Sequence, residues 1–193
     1  MASLYFKYAA MNSGKSTQLI QTHFNYIERG LNPYAMTSIL HDRDGTGVIC
    51  ARVGLNLKVD AFELSCNLYK LVQKKHDIKA LNVVIIDEGQ FLTKSQCYQL
   101  AQVVDELKIP VIVYGLKTDF RGELFEGSYH LFCLADKIEE LKTICWCGNK
   151  AHMNARITQD EKVVRDGDQL EIGGNDRYIA LCRKHYTKGQ IKR

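Results

Sequence analysis

The sequence predicts an α/β fold whose central sheet is mainly parallel. Short apolar runs alternate with helical patterns over the first two-thirds of the chain. The runs at 82–87 and 110–115 are apolar almost throughout, which is typical of strands covered on both faces. Strands separated by helices of this length pair in parallel through crossover connections. Composition agrees, since 46% hydrophobic and 25% charged residues are typical of a globular protein.

Each element follows from the spacing of apolar residues and from the signals that start and stop helices. In the first helix, Leu19, Ile20, Phe24 and Ile27 are predicted to form one buried face, and Gly30 is placed to end it. The predicted strands lie at 4–9, 34–40, 82–87 and 110–115, the helices at 16–29, 64–76 and 94–108, and a mobile Gly-rich loop at 42–54.

The character of the chain changes near Leu141, where long helical patterns stop and clustered cysteines begin. We therefore predict an α/β domain at 1–141 and a small second domain at 142–193. No run approaches the roughly 20 apolar residues of a membrane-spanning helix. The N-terminus has no basic segment leading into an apolar one, so we expect a cytoplasmic protein without a signal peptide.

Residues 9–16, Ala-Ala-Met-Asn-Ser-Gly-Lys-Ser, follow an apolar strand and open a helix, the context of a phosphate-binding loop. Backbone N–H groups and the positive helix end favour an anion there. Lys15 can neutralise the β- and γ-phosphates, and Ser16 can place its hydroxyl on Mg²⁺. Ala9 replaces the usual first glycine, which is tolerable only if its backbone avoids positive φ.

The apolar run 83–86 ends in Asp87-Glu88. An aspartate at such a strand end holds the hydrated metal in P-loop enzymes, and a carboxylate beside it can accept a proton from an attacking hydroxyl or water. Together with the phosphate loop, these acids predict phosphoryl transfer from ATP. A GTPase is disfavoured because the guanine-reading pattern Asn-Lys-x-Asp is missing.

Cys145-Trp-Cys147 and Cys182-Arg-Lys-His185 supply four ligands in two close pairs. Structural zinc takes Cys₃His in tetrahedral geometry, and residues i and i+2 of an extended segment project to the same side. With all four positions filled, the metal is predicted to be structural and to close the segment 148–181 into a long loop. The other four cysteines are interpreted as small buried hydrophobes: Cys50, Cys66, Cys97 and Cys133.

Two other classes of protein share these features. A P-loop ATPase with a zinc ribbon that binds nucleic acid would need a dense basic face, whereas the net charge is only +4 and the basic C-terminal tail is expected to be solvated. A non-catalytic protein stabilised by zinc would have no use for Lys15 and Glu88 together.

The order and spacing of these motifs resemble those of the type II thymidine kinases, a zinc-containing family. The resemblance also includes Tyr114-Gly-Leu-Lys-Thr-Asp-Phe-Arg-Gly122 and Ile172-Gly-Gly-Asn-Asp-Arg-Tyr178, and it covers essentially the whole chain. It implies a RecA-like P-loop core with a mainly parallel sheet, and a small C-terminal zinc-binding domain that carries a lasso-like loop. The implied reaction is transfer of the γ-phosphate of ATP to the 5′-hydroxyl of thymidine, with Mg²⁺.

The resemblance also assigns residues. Glu88 is implied as general base, and Ser16 and Asp87 as Mg²⁺ residues. The implied ATP site is Ala9, Ala10, Met11, Asn12, Ser13, Gly14, Lys15, Ser16, Arg43, Asp87, Glu88, Gly89 and Gln90. The implied thymidine site is Met11, Phe91, Leu116, Phe120, Phe125, Gln169, Leu170, Glu171, Ile172, Gly173 and Tyr178, with Asn154 near the 5-substituent of the base. A homotetramer and feedback inhibition by dTTP are further implied, and the weak net charge and short apolar runs lead us to expect no nucleic-acid or membrane partner.

Overall fold

A computed structural model describes residues 1–40, 45–169 and 178–192. Its helices are α1 (Lys15–Glu28), α2 (Leu68–Ile78), α3 (Lys94–Leu107), α4 (Glu126–Leu134) and α5 (Arg183–Lys188). Its strands are β1 (Leu4–Ala9), β2 (Pro33–Ser38), β3 (Val48–Cys50), β4 (Asn56–Lys58), β5 (Asp60–Phe62), β6 (Val83–Ile86), β7 (Val111–Leu116), β8 (Lys137–Leu141), β9 (Thr143–Ile144), β10 (Lys150–Ala151), β11 (Met153–Ile157), β12 (Val163–Val164) and β13 (Tyr178–Leu181).

A six-stranded sheet in the order β5-β2-β6-β7-β1-β8 organises the first part of the chain. Every neighbouring pair of strands in it is parallel, which confirms the predicted fold class. The loops that follow β1, β6 and β7 leave the sheet at the same edge, because the carboxyl ends of parallel strands lie together. Ligands bind at this edge in open α/β sheets.

Helices cover both faces of the sheet. Alternate residues of β6 separate into two cores: Val84 and Ile86 pack with residues of α2, α3 and α4, whereas Val83 and Ile85 pack with residues of α1 and the β3–β4 hairpin. This burial on both faces explains the continuous apolar runs of the central strands.

Several local predictions were wrong. Phe24 and Ile27 of α1 are 46% and 48% exposed, so only the Leu19–Ile20 part of the predicted face is buried in this chain. The predicted loop at 42–54 contains β3, which pairs with β4 in an antiparallel hairpin. Helix α2 begins four residues later than predicted because the side chain of Asn67 caps it by accepting the N–H of Lys70.

Small antiparallel sheets follow β8. Strands β9 and β10 form one hairpin, and β11 lies between β12 and β13 in a three-stranded sheet. The segment 148–181 is therefore not one long loop, because hydrogen bonds between β11 and β13 hold its two ends together. The core here is small and includes Ala151, Ala155 and Leu181.

The four scattered cysteines do not share one environment. Cys97 is buried as predicted, but Cys50 and Cys66 are half-buried and Cys133 is exposed. In the portion of the chain that the structure describes, no helix combines the length and apolar character needed to span a membrane.

Candidate active site and metal centre

The phosphate loop connects β1 to α1. Ala9 is the last residue of β1 and keeps an extended backbone, so the condition on the missing first glycine is met. The left-handed conformations fall instead on Asn12 (φ 63°) and Gly14 (φ 82°). Asparagine and glycine tolerate the left-handed region best. When right- and left-handed residues alternate, successive backbone N–H groups point towards one anion.

The C-terminal part of the chain supports this loop directly. The N–H of Met11 donates to Oδ1 of Asn154 in β11 at 2.8 Å, and Nδ2 of Asn154 donates to the carbonyl of Thr118 at 2.9 Å. Ala10 packs into the small core formed by the strands and cysteines of the C-terminal part. The buried Asn154 therefore links the phosphate loop to the loop after β7, a role that its predicted place near the base did not include.

Two acids follow the buried strand β6. Asp87 is only 1% exposed, and its Oδ1 accepts the N–H of Glu88 at 2.9 Å. Burial and the negative charge of Glu88 raise the pKa of Asp87 to about 7, while Lys15 and the N–H of Glu88 oppose this rise. Glu88 has a left-handed backbone at φ 53° and ψ 40°, which costs an ordinary residue about 1 kcal/mol and is typical of functional sites.

Lys15 lies within the electrostatic reach of both acids. Burial lowers the pKa of the Lys15 ammonium group, and the charges of Glu88 and Asp87 oppose this lowering. The structure thus brings together the lysine of the phosphate loop and the two acids at the end of β6. Opposite charges at one edge of the sheet suit a bound polyphosphate together with its counter-ion.

The donor set fits the predicted Mg²⁺ ion. Asp87 offers a buried carboxylate directly after β6, beside β2. Ser16 lies in the first turn of α1. Among the residues described, the hydroxyls of Ser13 and Thr37 are buried without a hydrogen-bond partner. Thr37 follows Met36, the register partner of Ile86, and so lies level with Asp87. Oxygen donors of this kind are those that Mg²⁺ prefers, directly or through water.

A short 3₁₀ turn, Gly89–Phe91, carries Gln90 beside Glu88. Nε2 of Gln90 donates to Oε2 of Glu88, and Oε1 of Gln90 accepts the N–H of Leu116 at 2.9 Å. The turn fits against glycines, because a Cβ on Gly115 would lie 3.1 Å from the backbone nitrogen of Gln90, and one on Gly127 would lie 2.3 Å from the carbonyl oxygen of Gly89. A Cβ at Gly127 would therefore force the backbone of the turn to shift, and a Cβ at Gly115 would make a tight contact with it.

The predicted thymidine residues occupy neighbouring elements. The rings of Phe91 and Phe125 meet edge to face with centroids 6.0 Å apart. The guanidinium of Arg156 lies 3.8 Å from the centroid of Phe120, and Tyr178 is the register partner of Arg156. Phe120 is therefore covered by Arg156 and packs as a core aromatic as well as a candidate contact for the base.

Part of the predicted site lies outside the described residues: Arg43, Leu170, Glu171, Ile172 and Gly173. Gln169, the last described residue before that gap, donates from Nε2 to Oδ2 of Asp119 at 3.1 Å. This bond joins the start of the predicted lasso-like loop to the loop after β7.

Asp119 has a structural role that no local sequence pattern indicates. Its buried carboxylate accepts the backbone N–H groups of Arg121 and Glu123 at 2.8 and 3.0 Å. It also pairs with the guanidinium of Arg121, where Nε and Nη2 are each 3.0 Å from Oδ2. The only sequence signal was its place in the quoted motif 114–122, where it holds the turn that presents Phe120.

The four predicted metal ligands converge in the C-terminal part. Their ligand atoms all lie within 4.8 Å of one another: Cys145, Cys147, Cys182 and His185. Nδ1 of His185 is 3.4 Å from the sulfurs of both Cys145 and Cys182, and the sulfurs of Cys147 and Cys182 are 4.0 Å apart. Ligands of a tetrahedral Zn²⁺ lie roughly 3.5–3.8 Å apart, so the cluster fits structural zinc.

The first cysteine pair reaches the cluster through a turn and not, as predicted, along an extended segment. The N–H of Gly148 donates to the carbonyl of Cys145 at 2.9 Å, and Gly148 takes φ 86° to close the turn. Trp146 stacks on His185 at 4.1 Å, and Nδ2 of Asn149 approaches the sulfur of Cys147 at 3.4 Å. These contacts orient the ligands from outside the cluster.

Comparison with known proteins identifies the family. The family model for thymidine kinase matches residues 2–186. The chain belongs to the thymidine kinase family. A thymidine kinase of Photobacterium profundum is 53% identical over 188 residues, covering 97% of this chain and 98% of the relative. A thymidine kinase of Vibrio vulnificus is 51% identical with the same coverage, and one of Zymomonas mobilis is 50% identical, with 97% of each chain covered.

Family membership confirms the resemblance drawn from the motifs and decides between the alternatives. The match extends over both the P-loop part and the cysteine cluster, as expected if the two act together in one kinase. A zinc-ribbon ATPase acting on nucleic acid and a non-catalytic zinc protein are both disfavoured by this full-length match to kinases.

Proposed function

We propose that this chain transfers the γ-phosphate of ATP to the 5′-hydroxyl of thymidine, with Glu88 as the general base. The observation that carries the proposal is that the parallel pairing of β1, β7 and β6 brings the phosphate loop with Lys15 and the acids Asp87 and Glu88 to one edge of the sheet, where their charges interact. A polyphosphate held by the loop would place its terminal group beside Glu88. Family membership supports the choice of ATP and thymidine as substrates.

The residues divide the work between positioning and charge. The backbone of the phosphate loop holds the phosphates, and Lys15 offsets charge on the transferring group. Glu88 accepts the proton of the 5′-hydroxyl as the oxygen attacks phosphorus, and ADP leaves. Phe91 and Phe125 offer apolar surface for the base, with Phe120 and Tyr178 on the C-terminal side.

Mg²⁺ would be held by Ser16 and Asp87, with Asp87 reaching it through water. When bound, it neutralises charge on the β- and γ-phosphates.

The deciding experiment is an assay of ADP release with thymidine, deoxyuridine, deoxycytidine or single-stranded DNA as the only acceptor. We expect turnover that depends on thymidine, and Glu88→Gln to reduce kcat by about 10²–10⁴-fold while thymidine still binds. Turnover driven by DNA and indifferent to nucleosides would contradict the substrate. Near-normal kcat in Glu88→Gln would contradict the base.

We further propose a cytoplasmic homotetramer that is inhibited by dTTP. The exposed apolar side chains Phe24, Ile27 and Leu31 on and after α1 support burial between subunits. Light scattering of the purified protein tests the assembly, with a monomer as the contrary result. Inhibition of thymidine turnover by added dTTP tests the regulation.

A further inference from the structure

The side chain of Gln90 has an orientation that its partners determine. A backbone N–H can only donate and an ionised carboxylate can only accept. Because Oε1 of Gln90 receives the N–H of Leu116, Nε2 is the atom that faces Glu88, and it donates to Oε2 of that carboxylate. One buried amide, 3% exposed, thus connects the acid after β6 to the last residue of β7.

The far end of this connection is itself fixed. The carbonyl of Leu116 accepts the hydroxyl of Ser128 in α4 at 2.5 Å, and Ser128 is fully buried. Gly115 lies against both the backbone and the side-chain oxygen of Gln90, where a Cβ would come within 3.1 Å of each. Gln90 is therefore held by close packing against rigid elements of the sheet and not by a loop.

We propose that Gln90 is a positioning residue that fixes the Glu88 carboxylate relative to Leu116 at the acceptor site and acts on turnover through Glu88. The proposal rests on the role of Glu88 as general base given above. It differs from the role that the family resemblance implies, in which Gln90 belongs to the ATP site, because both polar ends of its side chain are engaged by protein groups.

The physical reason for such a residue lies in the geometry of Glu88. A glutamate has three side-chain torsions, and its left-handed backbone points the chain away from the regular strand direction. A base must lie within hydrogen-bond reach of the proton that it accepts, and a displacement of about 1 Å can cost roughly 10²-fold in rate. A donor anchored on β7 restricts the carboxylate to one arrangement.

The test is a double-mutant cycle on the full chain, with Gln90→Met, which keeps the approximate volume but removes both hydrogen bonds. We expect kcat for thymidine to fall about 10–100-fold, while KM for ATP changes by less than about threefold. In the Glu88→Gln background, Gln90→Met should change the residual turnover by less than about threefold, since the group it positions is absent.

The control is Gln102→Met, because Gln102 makes the same type of bond to Glu106 at 3.0 Å on the surface of α3. It should leave kcat unchanged. If Gln90→Met fails to fold, Gln90→Leu serves in its place, since it also removes both hydrogen bonds without adding a charge. Thermal unfolding separates loss of fold from loss of positioning.

The outcomes separate the inference from the proposed function. Equal losses in the wild-type and Glu88→Gln backgrounds, or a raised KM for ATP with normal kcat, would overturn the role of Gln90 and leave the base intact. Normal turnover in Glu88→Gln would overturn the base itself. A large loss in Gln90→Met that vanishes in the Glu88→Gln background supports both.

Discussion

Replacement of Gly127 by alanine should damage activity from a position that touches no substrate. In the first turn of α4, a Cβ at this residue would lie 2.3 Å from the carbonyl oxygen of Gly89, 2.8 Å from that of Leu92 and 2.9 Å from that of Gln90. Carbon and oxygen atoms pack at more than 3 Å, so the 3₁₀ turn must move by about 1 Å. Overpacking of this kind costs about 1–3 kcal/mol.

The displaced turn carries Gln90 and begins at Glu88, so we expect kcat to fall by about 10²-fold as well. Urea unfolding measures the stability, and ADP release with thymidine measures kcat. The matched control is Gly30→Ala at the end of α1, where φ is +71° and nothing lies within 4 Å of an added Cβ. Backbone strain should lower the free energy of unfolding of Gly30→Ala by about 1–2 kcal/mol, and kcat should be unchanged. Wild-type stability and kcat in Gly127→Ala would refute the reasoning.

Three further predictions concern pH, metal and the support of the phosphate loop. Burial raises the pKa of Asp87 to about 7, so the native state holds a proton that the unfolded chain has lost. The free energy of unfolding of the ligand-free protein should therefore fall from pH 5 to pH 8 relative to that of Asp87→Asn. The same pH dependence in both proteins, measured by urea unfolding, would contradict this. Removal of zinc by a chelator, or Cys147→Ala, should weaken binding of both thymidine and ATP in calorimetry, because Ala10 of the phosphate loop packs in one core with Cys145 and Cys182, and unchanged ATP binding would contradict this support. Asn154→Ala leaves the N–H of Met11 and the carbonyl of Thr118 unpaired, so we expect about 2–4 kcal/mol less stability by urea unfolding, and a loss below about 1 kcal/mol would be contrary.

The sequence predicts those parts of the fold whose signals are local. The phosphate loop, the strand before Asp87 and the helix after Thr93 each occupy a short segment with its own pattern. The last of these has a capping box in which Thr93 and Gln96 satisfy each other's backbone N–H groups. Such signals do not depend on what the segment later packs against.

Other features depend on distant contacts and have no local signal. Phe24 and Ile27 have helical spacing, but spacing does not say whether the same chain or another covers them. The edge strand β5 has three residues and pairs with β2, and so short a run is insufficient to form a recognisable pattern. The cysteine pair reaches the cluster by a turn at Gly148, so the clustering of the four side chains was predicted from an incorrect local geometry.

The site divides in the same way. The motifs predict that Lys15, Asp87 and Glu88, whose residue types suit phosphoryl-transfer chemistry, lie near one another, and the structure places them so. The support of that chemistry could not be predicted, since Asn154 and Leu116 are far along the chain from the groups they hold. Their roles depend on which backbone groups the fold brings within reach.

The hydrogen bond from Met11 to Asn154 spans 143 residues and has a consequence for synthesis on the ribosome. The phosphate loop emerges from the ribosome well before Asn154, which is translated 143 residues after Met11. A nascent chain that has folded the parallel sheet but not β11 therefore has a phosphate loop that lacks its hydrogen bond to Asn154. Competence to hold a nucleotide should thus arise late in translation, when the terminal strands arrive.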